Sequence, residues 1–323
     1  MLSIEKYRKP FLKYLEGTNF IKEPAGLYEP IKYILNLGGK RLRPALVLMS
    51  CEAFGTKYIE ALNAALAVEV FHNFSLVHDD IMDEAPLRRG KETVHKKWNL
   101  NTGILSGDAM MIMAYQLFEN YQPHKFKALA ELFSKTALEV CEGQQYDIDF
   151  ETRNVVTINE YLKMIEYKTA VLVAASLKMG AIIADASEKD AQSIYDYGLN
   201  LGIAFQLQDD YLDIFGGSNF GKQKAGDIIE NKKTWLYLKT LELADHQDRE
   251  NLKKLYASDT LDIHEKIEQV MTLYKKYKVD SQIEIEIEKF TNRALKCCKN
   301  CSLHENFQQE FNSLAQDLMH RTI

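Results

Sequence analysis

The chain has 323 residues, 46% hydrophobic and 27% charged, with a formal net charge of −6. That composition excludes a disordered chain, and the acidic balance argues against general nucleic-acid binding. Breakers are scarce: the last of 6 Pro is Pro123 and the last of 16 Gly is Gly226. Such scarcity opposes both a β-sandwich and a dinucleotide-binding α/β fold and favours long helices.

Apolar residues spaced i, i+3, i+4 predict the elements in order. Helices are expected over residues 2–16, 31–37 and 44–53, the last with Pro44 in its first turn. A long helix follows over 59–83, then a loop over 84–90 containing Arg88-Arg89-Gly90. Further helices are expected over 103–120, 124–149, 159–184, 188–215, 227–245, 248–256, 262–278 and 282–321. Gly216-Gly217-Ser218-Asn219 is the clearest break in the C-terminal half. The breaks are single loops rather than linkers, so one domain over 1–323 is expected. The longest apolar run, Thr169 to Ala184, carries Lys178 and falls short of the ~20 apolar residues of a membrane span. No stable membrane insertion is expected, and the N-terminus, with Glu5 and Glu16, lacks a signal-peptide core. Five Cys (51, 141, 297, 298, 301) read as free thiols of a cytoplasmic protein. Cys298, Cys301 and His304 have partial zinc spacing but no plausible fourth ligand nearby.

Two acidic clusters carry the strongest chemical signal. Asp79-Asp80-x-x-Asp83 and Asp209-Asp210-x-x-Asp213 have the same spacing, and each follows an apolar stretch. On a helix, the first and last Asp share a face. Crowded carboxylates in apolar surroundings call for cations, and all-oxygen ligands suit Mg²⁺ with phosphate as co-ligand. Basic residues complement them: Gly38-Gly39-Lys40-Arg41-Leu42-Arg43-Pro44, Arg88-Arg89, Lys168-Thr169, Lys222, Lys224 and Lys232-Lys233. Arg forks and Lys ammonium groups both match phosphate oxygens. With 15 Phe and 17 Tyr in the chain, the residues point to a metal-assisted diphosphate site at an apolar helical cavity.

These motifs, with Gly143-Gln144-x-x-Asp147 and Phe205-Gln206 before the second acidic cluster, resemble those of the trans-isoprenyl diphosphate synthases, the polyprenyl synthetase family. They run in family order over about 200 residues. The resemblance implies an all-α bundle of long antiparallel helices around a central apolar cavity, a homodimer, and about three Mg²⁺ ions held by Asp79, Asp80, Asp83, Asp209, Asp210 and Asp213. It implies head-to-tail condensation of isopentenyl diphosphate with an allylic diphosphate. Lys40, Arg43, His72 and Arg89 would hold the isopentenyl diphosphate; Arg88, Lys168, Lys222 and Lys232 would face the allylic diphosphate. Thr169 and Gln206 would present oxygen to the allylic cation, and Asp147 would orient Lys168. Lys222 is preferred over Lys224 because Gly221 precedes it.

Phe74 and Ser75 lie five and four residues before Asp79, about one helical turn deeper. An aromatic floor beside a small residue, with no insertion in the first motif, resembles the short-chain geranylgeranyl type. A fifteen- to twenty-carbon product is expected, twenty favoured. A class I terpene cyclase would lack the Gly-Gly-Lys-Arg cradle and alter the second Asp motif; a non-catalytic regulatory subunit would lose Asp or basic residues. A metal-dependent phosphohydrolase would need an activated water, which an apolar lining opposes.

Overall fold

The computed structural model describes residues 2–216, 225–258 and 262–319. Among these are sixteen α-helices and one short antiparallel hairpin, so the chain is all-α as expected. No helix of the described residues is long and apolar enough to cross a membrane. The described residues of 1–134 and 175–192 form one compact unit, and those of 135–174 and 193–323 form another.

The first unit contains α1 (Leu2–Gly17), α2 (Ala25–Asn36), α3 (Leu42–Ala53), a 3₁₀ turn (Tyr58–Ala61) and α4 (Leu62–Met82). A hairpin follows, β1 (Leu87–Arg88) and β2 (Lys91–Glu92), then α5 (Val94–Lys97) and α6 (Leu100–Phe118). The first half of α4 is buried on all sides, from Ala64 to Phe71, as its continuous Ala/Val/Leu character requires. Glu69 lies within that buried run and pairs with the buried Arg41 guanidinium, which also donates to the Leu35 carbonyl. Asn73 Nδ2 donates to Glu69 Oε1 at 2.9 Å. Removing one partner of such a buried pair costs about 3–5 kcal/mol, so this pair ties the loop before α3 firmly to α4.

The second unit takes in the later part of α7 (Pro123–Thr152), then α8 (Ile158–Ile165), a π turn (Glu166–Ala170) and the first residues of α9 (Val171–Ile183), whose remainder belongs to the first unit. Then come α10 (Glu188–Phe215) from residue 193 onward, α11 (Gly226–Ile229), α12 (Trp235–Leu243), α13 (His246–Ala257), α14 (Ile263–Lys276), α15 (Val279–Lys299) and α16 (Glu305–Met319). Leu207, Ile214, Ile228, Trp235, Leu252 and Ile283 anchor its apolar core. A Thr157–Glu160 capping box starts α8. Lys233 closes α7 by donating to the carbonyls of Phe150, Glu151 and Arg153 at 2.6, 3.0 and 2.7 Å. A cation at a helix C-terminus satisfies carbonyls that have no intrahelical donor.

Several expected boundaries move; the run expected over 59–83 opens with the 3₁₀ turn before α4. The second helix starts at Ala25 rather than 31, with Pro30 accommodated inside it. The run expected over 159–184 contains the π turn. The run over 227–245 splits at Asn231, whose φ of 57° is left-handed. The run over 282–321 breaks between Asn300 and His304.

Candidate active site

In the first unit, Asp79 and Asp80 occupy the last turn of α4, and Asp83 caps it, donating its N–H to the Asp79 carbonyl at 2.9 Å. This is the negative end of the helix dipole, the wrong end for carboxylates. The middle Asp is anchored: Asp80 is 1% exposed and takes Arg88 Nε at 2.7 and 2.9 Å on its two oxygens. Burial lifts the Asp80 carboxyl above its ordinary value, and Arg88 holds against that rise. Asp79 is half-buried and Asp83 exposed. Arg88 ends β1, and Arg89-Gly90 make the hairpin turn with φ of 53° and 75°.

That turn gives Arg89 its place. Its guanidinium donates to the Gly38 carbonyl and lies over Gly39, where a Cβ would stand 2.9 Å from Arg89 Cζ. A Cβ there would displace the guanidinium, and the φ of 123° is a backbone conformation that favours glycine. Arg43 donates to His72 Nε2 at 3.3 Å. Burial, then the charges of Arg43, Arg89, Arg88 and Arg41, hold the His72 imidazole well below its ordinary value. His72 is therefore a neutral group inside a strongly positive cluster, which an anion would relieve. Lys40 is exposed at the start of the same loop. Arg41, unlike its neighbours, is committed to the core through Glu69.

One turn before Asp79, the half-buried Phe74 ring lies 5.5 Å from Phe71 and 4.7 Å from His78. Ser75 Oγ donates to the His72 carbonyl at 2.8 Å.

In the second unit, a cavity of about 210 Å³ is lined by Asp147, Lys168, Thr169, Gln206, Asp210 and Lys232, among others. Lys168 Nζ meets Asp147 Oδ2 at 2.5 Å, the expected orienting pair. The Thr169 hydroxyl donates to Gln206 Oε1 at 3.4 Å, and Gln206 Nε2 donates to Asp210 Oδ1 at 3.3 Å. The Tyr161 hydroxyl donates to Asp210 Oδ2. Burial and then Asp227 lift the Asp210 carboxyl well above the usual carboxylate range, against the hydrogen bonds from Tyr161 and Gln206. Burial opposes the charge on Lys232, but Glu230, Asp227 and Asp147 outweigh it and raise its pKa.

The second acidic cluster repeats the first in form. Asp209, Asp210 and Asp213 lie in the last two turns of α10, again at the negative helix end. The middle Asp is 3% exposed, while the outer two are half-buried. Asp213 Oδ2 accepts the Asp227 backbone N–H at 3.1 Å. Among the described residues, no three His, Cys, Asp or Glu are grouped so that they could hold a metal ion by themselves. Lys222 and Lys224 lie outside the described residues.

The family model for polyprenyl synthetase matches residues 24–274. The chain belongs to the polyprenyl synthetase family. A geranylgeranyl diphosphate synthase of Methanosarcina mazei is 42% identical over 225 residues, 69% of each chain. Of solved structures, a geranylgeranyl pyrophosphate synthase is 51% identical, with a TM-score of 0.93 over 99% of both chains. The geranylgeranyl pyrophosphate synthetase of Pyrococcus horikoshii is 34% identical, with a TM-score of 0.87 over 98% of this chain and 99% of the other. This polyprenyl synthetase is accordingly a prenyltransferase of the all-α isoprenoid synthase fold.

Sequence reasoning missed the π turn that presents Lys168 and Thr169. Inserted π turns recur at functional sites, where one extra residue re-aims side chains and carbonyls. Two helical glycines make room for it. A Cβ on Gly143 would lie 2.2 Å from the Lys168 backbone nitrogen, and one on Gly202 would lie 2.6 Å from Ala170 Cα. Tyr161, the partner of Asp210, was also missed, since nothing local marks it. A Gly143→Ala variant must push the π turn aside. It is expected to lose stability by about 1–3 kcal/mol and prenyl-transfer rate by about 100-fold, checked by thermal melting and product formation. A wild-type rate would contradict the clamp.

Proposed function

We propose that this polyprenyl synthetase condenses isopentenyl diphosphate with an allylic diphosphate to give a twenty-carbon all-trans prenyl diphosphate, using Mg²⁺. The observation that carries the reading is the cavity lined by Lys168, Thr169, Gln206 and Lys232. It offers cations for a diphosphate and oxygens for an electron-deficient carbon. The relatives named as geranylgeranyl synthases support the product class.

In this reading, Arg88, Lys168 and Lys232 bind the allylic diphosphate, and Lys222 joins them from outside the described residues. Arg43, His72, Arg89 and Lys40 hold the isopentenyl diphosphate. The neutral His72 can donate one N–H without adding to the charge that Arg43 already supplies. The allylic C–O bond breaks and pyrophosphate leaves; Lys168, Lys232 and Arg88 stabilise the charge that develops on it. Thr169 and Gln206 oxygens face the allylic cation while the isopentenyl double bond attacks it. Pyrophosphate takes the proton lost afterwards, so no side-chain base is required.

Mg²⁺ suits the donor set. Both acidic clusters are hard oxygen ligands at the negative ends of helices, where a cation relieves both carboxylate repulsion and the dipole. Asp79, Asp83, Asp209 and Asp213 are the better exposed members, and Asp80 and Asp210 the anchored ones. Mg²⁺ keeps waters and phosphate oxygens in its shell, so a complete protein cage need not be formed beforehand. When bound, about three such ions neutralise the leaving pyrophosphate.

Phe74 serves as the floor for the growing chain. Its ring is packed along α4 by Phe71 and His78, which suits a wall that must not yield. A homodimer completes the reading. Leu100, Ile104, Leu105 and Ile112 on α6 are 39% to 59% exposed, an apolar face that a second copy would cover.

Incubation with isopentenyl diphosphate, a farnesyl primer and Mg²⁺ is expected to yield the twenty-carbon product, and Phe74→Ala a longer one. No prenyl product from any allylic primer sinks the function; an unchanged length in Phe74→Ala sinks only the floor. In sedimentation, wild type is expected as a dimer and the Leu105→Asp/Ile112→Asp variant as a monomer. A monomeric wild type would count against the interface.

A further inference from the structure

An amide side chain has two ends of nearly the same shape and opposite polarity. Which end of Gln206 faces the reacting carbon decides whether it stabilises or repels a cation. The neighbours settle the choice. Gln206 turns its NH₂ group to Asp210 Oδ1, 3.3 Å away. Oε1 is then left to the Thr169 hydroxyl at 3.4 Å, with a second lone pair available toward the cavity. The other Asp210 oxygen is taken by Tyr161, whose side chain comes from α8 and is 3% exposed. Asp210 thus cannot turn without breaking a buried hydrogen bond.

We propose that Tyr161 and Asp210 are positioning residues that orient the Gln206 amide, fixing its carbonyl oxygen on the Thr169 side of the cavity. The pair acts through Gln206. This inference rests on the prenyl-transfer reading, because the carbonyl end matters only if a cation forms beside it. Without the anchor the amide can turn over and present its partly positive NH₂ group to the allylic carbon. Asp210 then differs in role from Asp209 and Asp213: it aligns an amide, whereas they remain the candidates for metal.

The test uses the full-length protein with Tyr161→Phe, Asp210→Asn and Gln206→Leu, singly and combined. Turnover, KM for each diphosphate, and calorimetric binding of inorganic pyrophosphate with Mg²⁺ are measured. Tyr161→Phe is expected to lower kcat roughly tenfold to a hundredfold while leaving both KM values within about twofold. Pyrophosphate binding with Mg²⁺ is expected to be unchanged in Tyr161→Phe and in Asp210→Asn. In the Gln206→Leu background, Tyr161→Phe is expected to cost nothing more, since no amide remains to orient. If Tyr161→Phe does not melt cooperatively, Asp210→Asn beside Gln206→Leu runs the same cycle. Full additivity of the losses overturns the proposal, and so does a tenfold or greater loss of pyrophosphate binding in Asp210→Asn, which would make that residue a metal ligand. A wild-type protein without prenyl-transfer activity overturns instead the function on which the proposal rests.

Discussion

Carboxylates at the negative ends of helices are the constraint on which the rest depends. Asp79 and Asp80 close α4, and Asp209, Asp210 and Asp213 lie in the last two turns of α10. An anion there is unfavourable by ~0.3–1 kcal/mol, and like charges at i, i+4 add ~0.2–0.5 kcal/mol. Each cluster resolves part of the strain internally by giving its most buried member to protein donors: Arg88 for Asp80, Tyr161 and Gln206 for Asp210. The outer pair, one turn apart on one face, is the better exposed part of each cluster.

The basic side obeys a matching logic. Burial first, and then the charges of Arg43, Arg89, Arg88 and Arg41, hold His72 neutral; that local positive potential is one a diphosphate would discharge. Arg41 belongs to the same string of cations yet serves the core, where Glu69 compensates it. Arg88 is likewise held by a buried carboxylate, that of Asp80, while Arg43 and Arg89 meet His72 and the Gly38 carbonyl. In the second unit, Lys232 and Lys233 also divide, the first lining the cavity and the second closing α7.

The Asp spacing was legible because it is local: i and i+4 on a helix share a face in any fold. So were most helices, whose apolar periodicity survives tertiary packing. The roles within each triad were not legible. Arg88 reaches Asp80 only because Arg89-Gly90 turn the hairpin, and Tyr161 reaches Asp210 from 49 positions away. The π turn escaped because one extra residue hardly disturbs apolar periodicity between 159 and 184. Gly143 and Gly202 were the available signal: glycine within a helix costs about 1 kcal/mol against alanine, so two of them ask for a packing reason. Asn231 and Asn300 ended helices that periodicity ran through, since neither carries Pro or Gly as a warning.

The central claim, that the outer Asp pairs exist to bind a divalent cation, is tested most directly by thermal unfolding with and without Mg²⁺ and inorganic pyrophosphate. Saturation to about 100 times Kd stabilises a folded protein by about 2.7 kcal/mol, a rise in Tm of about 4 °C at this size. The account predicts that rise in the wild type and its loss in both Asp79→Asn and Asp209→Asn. A full rise in both variants would contradict it.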